Sequence, residues 1–342
     1  MGGRPKTVLS ERLGKDDAEA FDALARASPF AACQQSRAWA EAAPRRGRHD
    51  FLYFLCRDGE EAMGAAIVRR TRLAPGVWLA TAQRGPIVAD VERLAEVVRA
   101  FNFALAQAGC CTVILGPRVA GEGVSLARET LSRARFRTLR TQSLHVQTGK
   151  IPLSGTEEEI FARFKQRGRR AIRKAAAVMT VREGAAGDIP HMESLLSAFH
   201  ARRPDYDVSG QLDVRAQAKL IAAEGGAMLV AEEGGRIVGW HSFVRQGRDA
   251  IWLAMVTDDD PQAPRSYLLL WEAVRRARAL GLASYDLAGL SPDDEASGRD
   301  QFKQAFAPVR EELLPAQVAA LRPLRHAIFF TARQLYRARR KG

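Results

Sequence analysis

Two stretches of the chain share one pattern of apolar and polar positions. Leu52-Tyr-Phe-Leu-Cys-Arg-Asp-Gly-Glu-Glu-Ala-Met-Gly64 reads as an apolar strand, an Asp-Gly turn and a second strand. Asp-Gly between apolar runs is a hairpin signal, because the tight turn needs residues that tolerate positive φ. Met228-Leu-Val-Ala-Glu-Glu-Gly-Gly-Arg-Ile-Val-Gly239 repeats the pattern. Further on, Leu94, Val97, Val98, Phe101 and Leu105 recur at helical spacing and predict an amphipathic helix from Val91 to Ala108. Gly109 stops it, and the strand Cys111-Thr-Val-Ile-Leu115 and Gly116 follow. The second copy is a helix from Tyr267 to Leu280, its cap Gly281, the strand Ser284-Tyr-Asp-Leu287 and Gly289. Between hairpin and helix lie further strands, Val77 to Thr81 and Ala250 to Val256.

Gly64 and Gly239, Gly109 and Gly281, and Gly116 and Gly289 are 175, 172 and 173 residues apart. A nearly constant offset marks an internal duplication. Each copy reads helix, hairpin, strand, long helix, strand. That is an α/β class with mixed sheets and helices on their faces. The order resembles the GNAT acyltransferase fold, present twice. The expected division is residues 1–149 and 150–320 as two tandem GNAT-like domains, then a basic amphipathic helix over 321–342, with the join near Gly149 to Ser154. Asp16-Asp17 should cap a helix running to Ala27. Ser154 or Thr156, with Glu157 to Glu159, should open one through Phe164. Asp188 should open another, carrying Met192, Leu195, Leu196 and Phe199.

At 342 residues either half can bury a core. No run of 18 apolar residues exists to span a bilayer. The basic start, Met1 to Lys6, leads into Ser10-Glu11-Arg12 without an apolar stretch, so no secretory signal is expected. Cys33, Cys56, Cys110 and Cys111 form no CxxC pair, which disfavours structural zinc and a disulfide framework. Cys110-Cys111 opens a predicted strand and is expected to be buried rather than reactive. The expected location is cytoplasmic. Charge changes the picture: 52 Lys and Arg against 39 Asp and Glu give a formal +13. Arginine predominates and suits bidentate phosphate contacts.

No GxSxG, HExxH or Walker A pattern is present, and the six histidines show no ligand spacing, so no metal is expected. Two segments carry the candidate chemistry. Phe164-Lys-Gln-Arg-Gly-Arg-Arg-Ala-Ile-Arg-Lys-Ala175 holds six cations between Lys165 and Lys174. The commonest reading of such a run is a solvated helix face; the alternative is a phosphate contact through Arg167, Arg169, Arg170, Arg173 and Lys174. The second segment is Tyr285-Asp-Leu-Ala-Gly289, a polar loop, then Arg299-Asp-Gln-Phe-Lys-Gln-Ala-Phe306. Its turn ends a strand, where α/β sheets place ligands. Phe302 and Phe306 should face the core, holding Lys303 near the sheet edge.

Together these segments resemble the Fem-type (FemABX) aminoacyltransferases. Gln35-Ser36 with Trp39 is similar to the family's "QS..W" stretch, Arg84-Gly85-Pro86 to its "RGP" loop, and Arg169 to Ala175 to its "IRKA" segment. Tyr285 to Gly289 with Phe302-Lys303 is similar to its "YDxxG…FKxxF" signature. The resemblance implies amide formation on an amine acceptor, with aminoacyl-tRNA as co-substrate and no resident cofactor. It implies that Lys303 stabilises the oxyanion, and that Arg84, Tyr285, Asp286 and Phe302 lie with the basic segment in substrate binding. The implied partners are the tRNA acceptor end and an amine acceptor, peptidoglycan precursor-like or other, with DNA excluded. Two features depart from the family. Trp39 is followed by Ala40-Glu41-Ala42-Ala43, without the lysine that binds the acceptor diphosphate. Cys111 to Gly116 lacks the family's acceptor-contacting tyrosine and aspartate.

Two rival readings stand beside this one. An acyl-CoA-dependent N-acyltransferase would use a glycine-rich pyrophosphate loop, yet Asp260 to Tyr267 has no glycine and Arg84 to Asp90 has one. A degenerate duplication acting as a basic binding module is the other. At the C-terminus, Leu321, Leu324, Ile328 and Leu335 recur at helical spacing among Arg322, Arg325, Arg333, Arg337, Arg339, Arg340 and Lys341. Usually such a stripe packs on its domain, here the second, and turns its cations to water. The alternative is peripheral contact with an anionic membrane at its inner face, bringing the enzyme to a lipid-linked acceptor.

Overall fold

The computed structural model describes residues 5–43, 49–140, 144–202, 212–258, 264–291, 298–328 and 331. The chain divides into two units: Met1–Ala40, Arg45–Leu144 and Glu312–Gly342 form the first, and Glu41–Pro44 and His145–Glu311 the second.

The first unit contains β1 (Lys6–Ser10), α1 (Lys15–Ala27), α2 (Arg37–Ala42), β2 (His49–Asp58), β3 (Glu61–Ala74), β4 (Val77–Ala82), β5 (Ile87–Val88), α3 (Leu94–Gln107), β6 (Cys110–Leu115), α4 (Gly123–Arg133) and β7 (Arg137–Thr138). The second contains β8 (Gln147–Pro152), α5 (Glu157–Arg163), α6 (Gln166–Ala176), β9 (Thr180–Glu183), α7 (Ile189–Arg202), α8 (Val214–Glu224), β10 (Gly226–Glu233), β11 (Arg236–Gln246), β12 (Asp249–Thr257), α9 (Arg265–Ala279), β13 (Ser284–Gly289), α10 (Gly298–Gln304) and β14 (Val309–Glu312). The chain then adds β15 (Gln317–Ala320) to the first.

The first sheet runs β1-β2-β3-β4-β6-β15-β7, with β5 on β3; the second runs β14-β8-β13-β12-β11-β10-β9. Both predicted hairpins form, as β2–β3 and β10–β11. The repeated helices are α3 and α9. The first buries Leu94, Val97, Val98, Phe101 and Leu105, the face read from the sequence. The second buries Leu268 to Trp271, Ala273, Val274 and Ala277. Thr156 caps α5 in a capping box with Glu159. All four cysteines are buried, and burial raises the Cys56 and Cys110 thiols to about 11, so neither is a ready nucleophile.

Several expectations are corrected. The cap of α1 is Gly14; Asp16 and Asp17 occupy its first turn, where carboxylates still favour the helix dipole. The expected join at 149–154 falls mostly on β8, an inner strand of the second sheet antiparallel to β13, and the division between units lies at Leu144. Residues 312–320 belong with the first unit rather than with the second domain, because β15 pairs with both β6 and β7, and a helical turn forms over 323–328, inside the range expected for the basic helix. The C-terminal stripe, expected on the second domain, falls in the first unit. Leu321 packs against the first unit's core, whereas Leu324 and Ile328 are exposed. Leu335, Arg333, Arg337, Arg339, Arg340 and Lys341 lie outside the described residues.

Since β15 covers one edge of β6, truncation after Glu311 should expose that edge. Amide exchange at Cys110–Leu115 is expected to accelerate by at least about tenfold; unchanged protection would show that β15 adds nothing to β6.

Candidate functional site

Lys303 is the charged centre of the second unit. On α10, Phe302 lies 4.8 Å, edge to face, from Tyr267, and 5.5 Å from Phe306. This packing anchors the helix and turns Lys303 inward until it is only 5% exposed. Its Nζ donates to the Gly289 carbonyl at 2.6 Å and sits 5.3 Å from the centre of the Trp252 ring. Burial lowers its pKa to about 8, with Arg299 acting the same way and Asp300 and Asp286 against it. At neutral pH Lys303 is therefore a buried ammonium. Lys303 lies at the end of β13, and it is more buried than Phe302.

The local backbone explains how Gly289 offers its carbonyl. The β8–β13 register slips between Asp286 and Gly289, and Ala288 takes the left-handed φ of 58°. Asp286 stabilises that turn by accepting the Ala288 amide at 2.8 Å and the Thr148 hydroxyl. A Cβ at Gly289 would fall 2.0 Å from the His145 ring, so the close approach requires glycine.

Tyr285 is fully buried, and its hydroxyl lies 2.5 Å from His241 Nε2. His241 Nδ1 lies 2.7 Å from the Ala254 carbonyl. A carbonyl only accepts, so Nδ1 carries the proton and Nε2 receives the Tyr285 hydroxyl. Burial lowers the His241 pKa to about 3 and raises that of Tyr285 well above its ordinary value, so both stay neutral. The Trp252 ring packs edge to face on His241 at 4.8 Å, which links this pair to the wall beside Lys303.

The strands part next to this wall. Parallel pairing of β12 with β13 covers only Asp249↔Ser284, Ala250↔Tyr285 and Ile251↔Asp286. Beyond it Trp252, Leu253, Ala254 and Met255 are half-buried, although β12 is an inner strand. The equivalent strands of the first unit, β4 and β6, stay paired from Trp78↔Cys110 to Ala82↔Leu115, and Gly116 N donates to Gly85 O at 3.2 Å just beyond. Only the second unit opens at this place.

The basic run forms α6. Gly168, Ile172 and Ala175 face inward, Arg167, Arg170, Arg173 and Lys174 are exposed, and Arg169 is half-buried. A Cβ on Gly168 would come 2.8 Å from the Ala305 carbonyl oxygen, so glycine lets this helix approach the segment that follows Lys303. The approach is fastened by Lys165 N to Ala305 O at 2.9 Å and by Arg167 Nη2 to Gln301 O at 2.5 Å. Arg169 donates to Ala162 O, and Arg173 lies over the Phe161 ring. Arg167, Arg169 and Arg170 occupy the N-terminal half of α6, where the macrodipole disfavours cations. A bound anion would offset that cost.

The structure thus gathers Lys303, Phe302, Tyr285, Asp286 and the start of α6 around one strand end. It corrects the roles of two of them. Tyr285 and Asp286 bond to the protein interior and position their neighbours instead of facing a ligand. Arg84 is in the first unit, buried, at the end of β4 with a φ of 59°. Its loop is braced by Gln35, which bonds Ile67 and Gln83. Sequence reasoning missed Trp252, His241 and Thr148, which share no spacing with the motif and meet it only through strand pairing. Among the described residues no three His, Cys, Asp or Glu side chains converge as a metal site.

Residues 162–304 match the family described as "Acetyltransferase (GNAT) domain". No curated protein matches the sequence. The solved structure of FemX superposes with a TM-score of 0.76 at 14% identity, covering 94% of this chain and 99% of that one. The chain has the Fem-type fold. The structure of L-PGS from Bacillus licheniformis is also similar, with a TM-score of 0.56 at 13% identity over 95% of this chain and 99% of that one. A tandem GNAT protein from the clavulanic acid biosynthesis pathway has a TM-score of 0.52 at 10% identity, over 92% and 99%.

Two outcomes follow from the buried groups. Tyr285→Phe leaves His241 Nε2 without its donor, and should cost about 1–3 kcal/mol in urea unfolding; an unchanged midpoint would contradict the assignment. The folded pKa of Lys303, about 8, lies below its ordinary 10.5. Between these values the unfolded chain holds the extra proton, so stability from this group rises with pH. Lys303→Met should lose that rise, and NMR titration of Lys303 should show the depressed pKa directly; a value near 10.5 would contradict the burial.

Proposed function

We propose that the protein is an aminoacyltransferase that moves an aminoacyl group from aminoacyl-tRNA to an amine. The observation that carries this reading is the Lys303 ammonium, buried beside the opening along β12 and tied through α10 to the basic start of α6. Cations on α6 suit the phosphates of a tRNA acceptor end. Lys303 spends one N–H on Gly289 and retains others for a carbonyl oxygen. The amine nitrogen attacks the ester carbonyl, forming a C–N bond, and the carbonyl oxygen takes up negative charge opposite the ammonium. The C–O bond to the ribose then breaks, and the proton lost by the amine ends on the departing hydroxyl. The ester is already activated, so holding the two reactants together supplies much of the rate. The Fem-type fold supports the reading, as does the likeness to a structure named L-PGS.

A second reading, acyl transfer from acyl-CoA, is favoured by the acetyltransferase family match. The start of α9 speaks against it. There Arg265 is buried between Glu233, at 2.5 Å, and Asp258, at 2.6 Å. The two carboxylates bond the Arg265 guanidinium and bring a net negative charge to the start of α9, which disfavours a pyrophosphate at that helix end. Residues 259–263 of that loop lie outside the described residues.

The test is single-turnover transfer of a labelled amino acid from tRNA to amine acceptors. Lys303→Ala should slow it by about 100-fold or more while the circular dichroism spectrum stays unchanged. The wild-type rate should fall as pH rises past about 8, where Lys303 loses its proton, and Lys303→Arg should move that fall upward. tRNA binding should weaken with salt by several log–log units, and neutralising Arg167, Arg169, Arg170, Arg173 and Lys174 should flatten the slope. Transfer from acetyl-CoA with none from tRNA would establish the second reading.

A further inference from the structure

The C-terminal helical turn over 323–328 is oriented the opposite way from a helix that covers a core. Its polar side holds it to the first unit. Arg322 Nη2 donates to Ala106 O at 2.9 Å, Arg325 Nη1 to Gly76 O at 2.7 Å, and His326 Nδ1 lies 3.0 Å from Thr112 Oγ1. Its apolar side faces out. Leu324 is 85% exposed and Ile328, one turn on, 63%. Two large apolar side chains on one turn, left in water while the neighbouring arginines bond inward, mark a contact surface.

Charge identifies the partner. No Asp or Glu follows Glu312, while Arg322, Arg325, Arg333, Arg337, Arg339, Arg340 and Lys341 fall in the final 30 residues. No helix among the described residues is long and apolar enough to cross a membrane. We propose that this face docks on an anionic phospholipid bilayer, with Leu324 and Ile328 entering the headgroup–acyl boundary and the surplus of basic residues in the sequence after Ile328 favouring an anionic surface. Apolar entry and cationic attraction are the two contributions that together hold a peripheral helix on a membrane. The inference stands apart from the acyl-transfer reading, because it uses none of the residues around Lys303.

Co-sedimentation of the full chain with phosphatidylglycerol and with phosphatidylcholine vesicles tests it. The protein should pellet with phosphatidylglycerol at low salt, weaken as salt rises, and stay in solution with phosphatidylcholine. Leu324→Ser with Ile328→Ser should reduce binding by at least about tenfold without moving the melting temperature, since both positions are exposed. An environment-sensitive dye on Ile328→Cys, the four native cysteines being buried, should shift to the blue on binding. A full chain that ignores phosphatidylglycerol at low salt overturns the proposal, and leaves this face to an acidic protein or a second copy. A double variant that binds as well as its parent also overturns it, because charge alone would then account for the attraction.

Discussion

An ammonium taken out of water must be compensated where it lies, and the geometry around Lys303 follows from that constraint. Desolvation lowers its pKa, and the carboxylates of Asp286 and Asp300 act to keep the proton. The Gly289 carbonyl supplies an acceptor at 2.6 Å. To offer that carbonyl, β13 breaks its register, Ala288 turns left-handed, and Asp286 and Thr148 hold the turn. Gly289 must lack a side chain because His145 occupies the space. Each of these residues would be an oddity on its own. Together they are what a cation buried at a strand end demands.

The duplication makes the same point by contrast. Both units carry a hairpin, a parallel inner strand pair and a helix between that pair. In the first unit, β4 and β6 stay hydrogen-bonded to their ends, and Gly85 and Gly116 continue the closure. In the second, β12 and β13 separate after three positions, and a run of half-buried residues appears in the middle of the sheet. One copy has kept its strand pair shut, and the other has a lysine, a tryptophan and a basic helix around an open one. The same architecture is thus built with the strand pair closed in one copy and open in the other.

What was legible in the sequence was what local periodicity controls. The two hairpins, α3 and α9 each declare themselves within fifteen residues or so, and Ser154 or Thr156 before Glu157 to Glu159 marked the start of α5, where Thr156 is the cap. The motif around Tyr285 and Phe302-Lys303 contains the buried lysine of the candidate site. What escaped was non-local. The strand β8 is short, contains glycine and proline, and pairs with β13 more than a hundred residues away. The strand β15 is four residues whose partners lie two hundred residues upstream. His241 and Trp252 join the site through neighbouring strands, and Tyr285 and Asp286 changed from ligand contacts to internal supports once their partners were visible. The C-terminal stripe had the right period, but the period could not say which side faced the protein.

In the proposed reaction a carbonyl of the acyl donor sits against Lys303. A crystal structure with a non-hydrolysable aminoacyl-adenosine amide, a mimic of the tRNA acceptor end, tests it most directly. The amide carbonyl oxygen is expected within hydrogen-bonding distance of Lys303 Nζ, beside Trp252, with the adenosine towards the start of α6. An analogue bound elsewhere, with Lys303 Nζ still holding only Gly289, would contradict it.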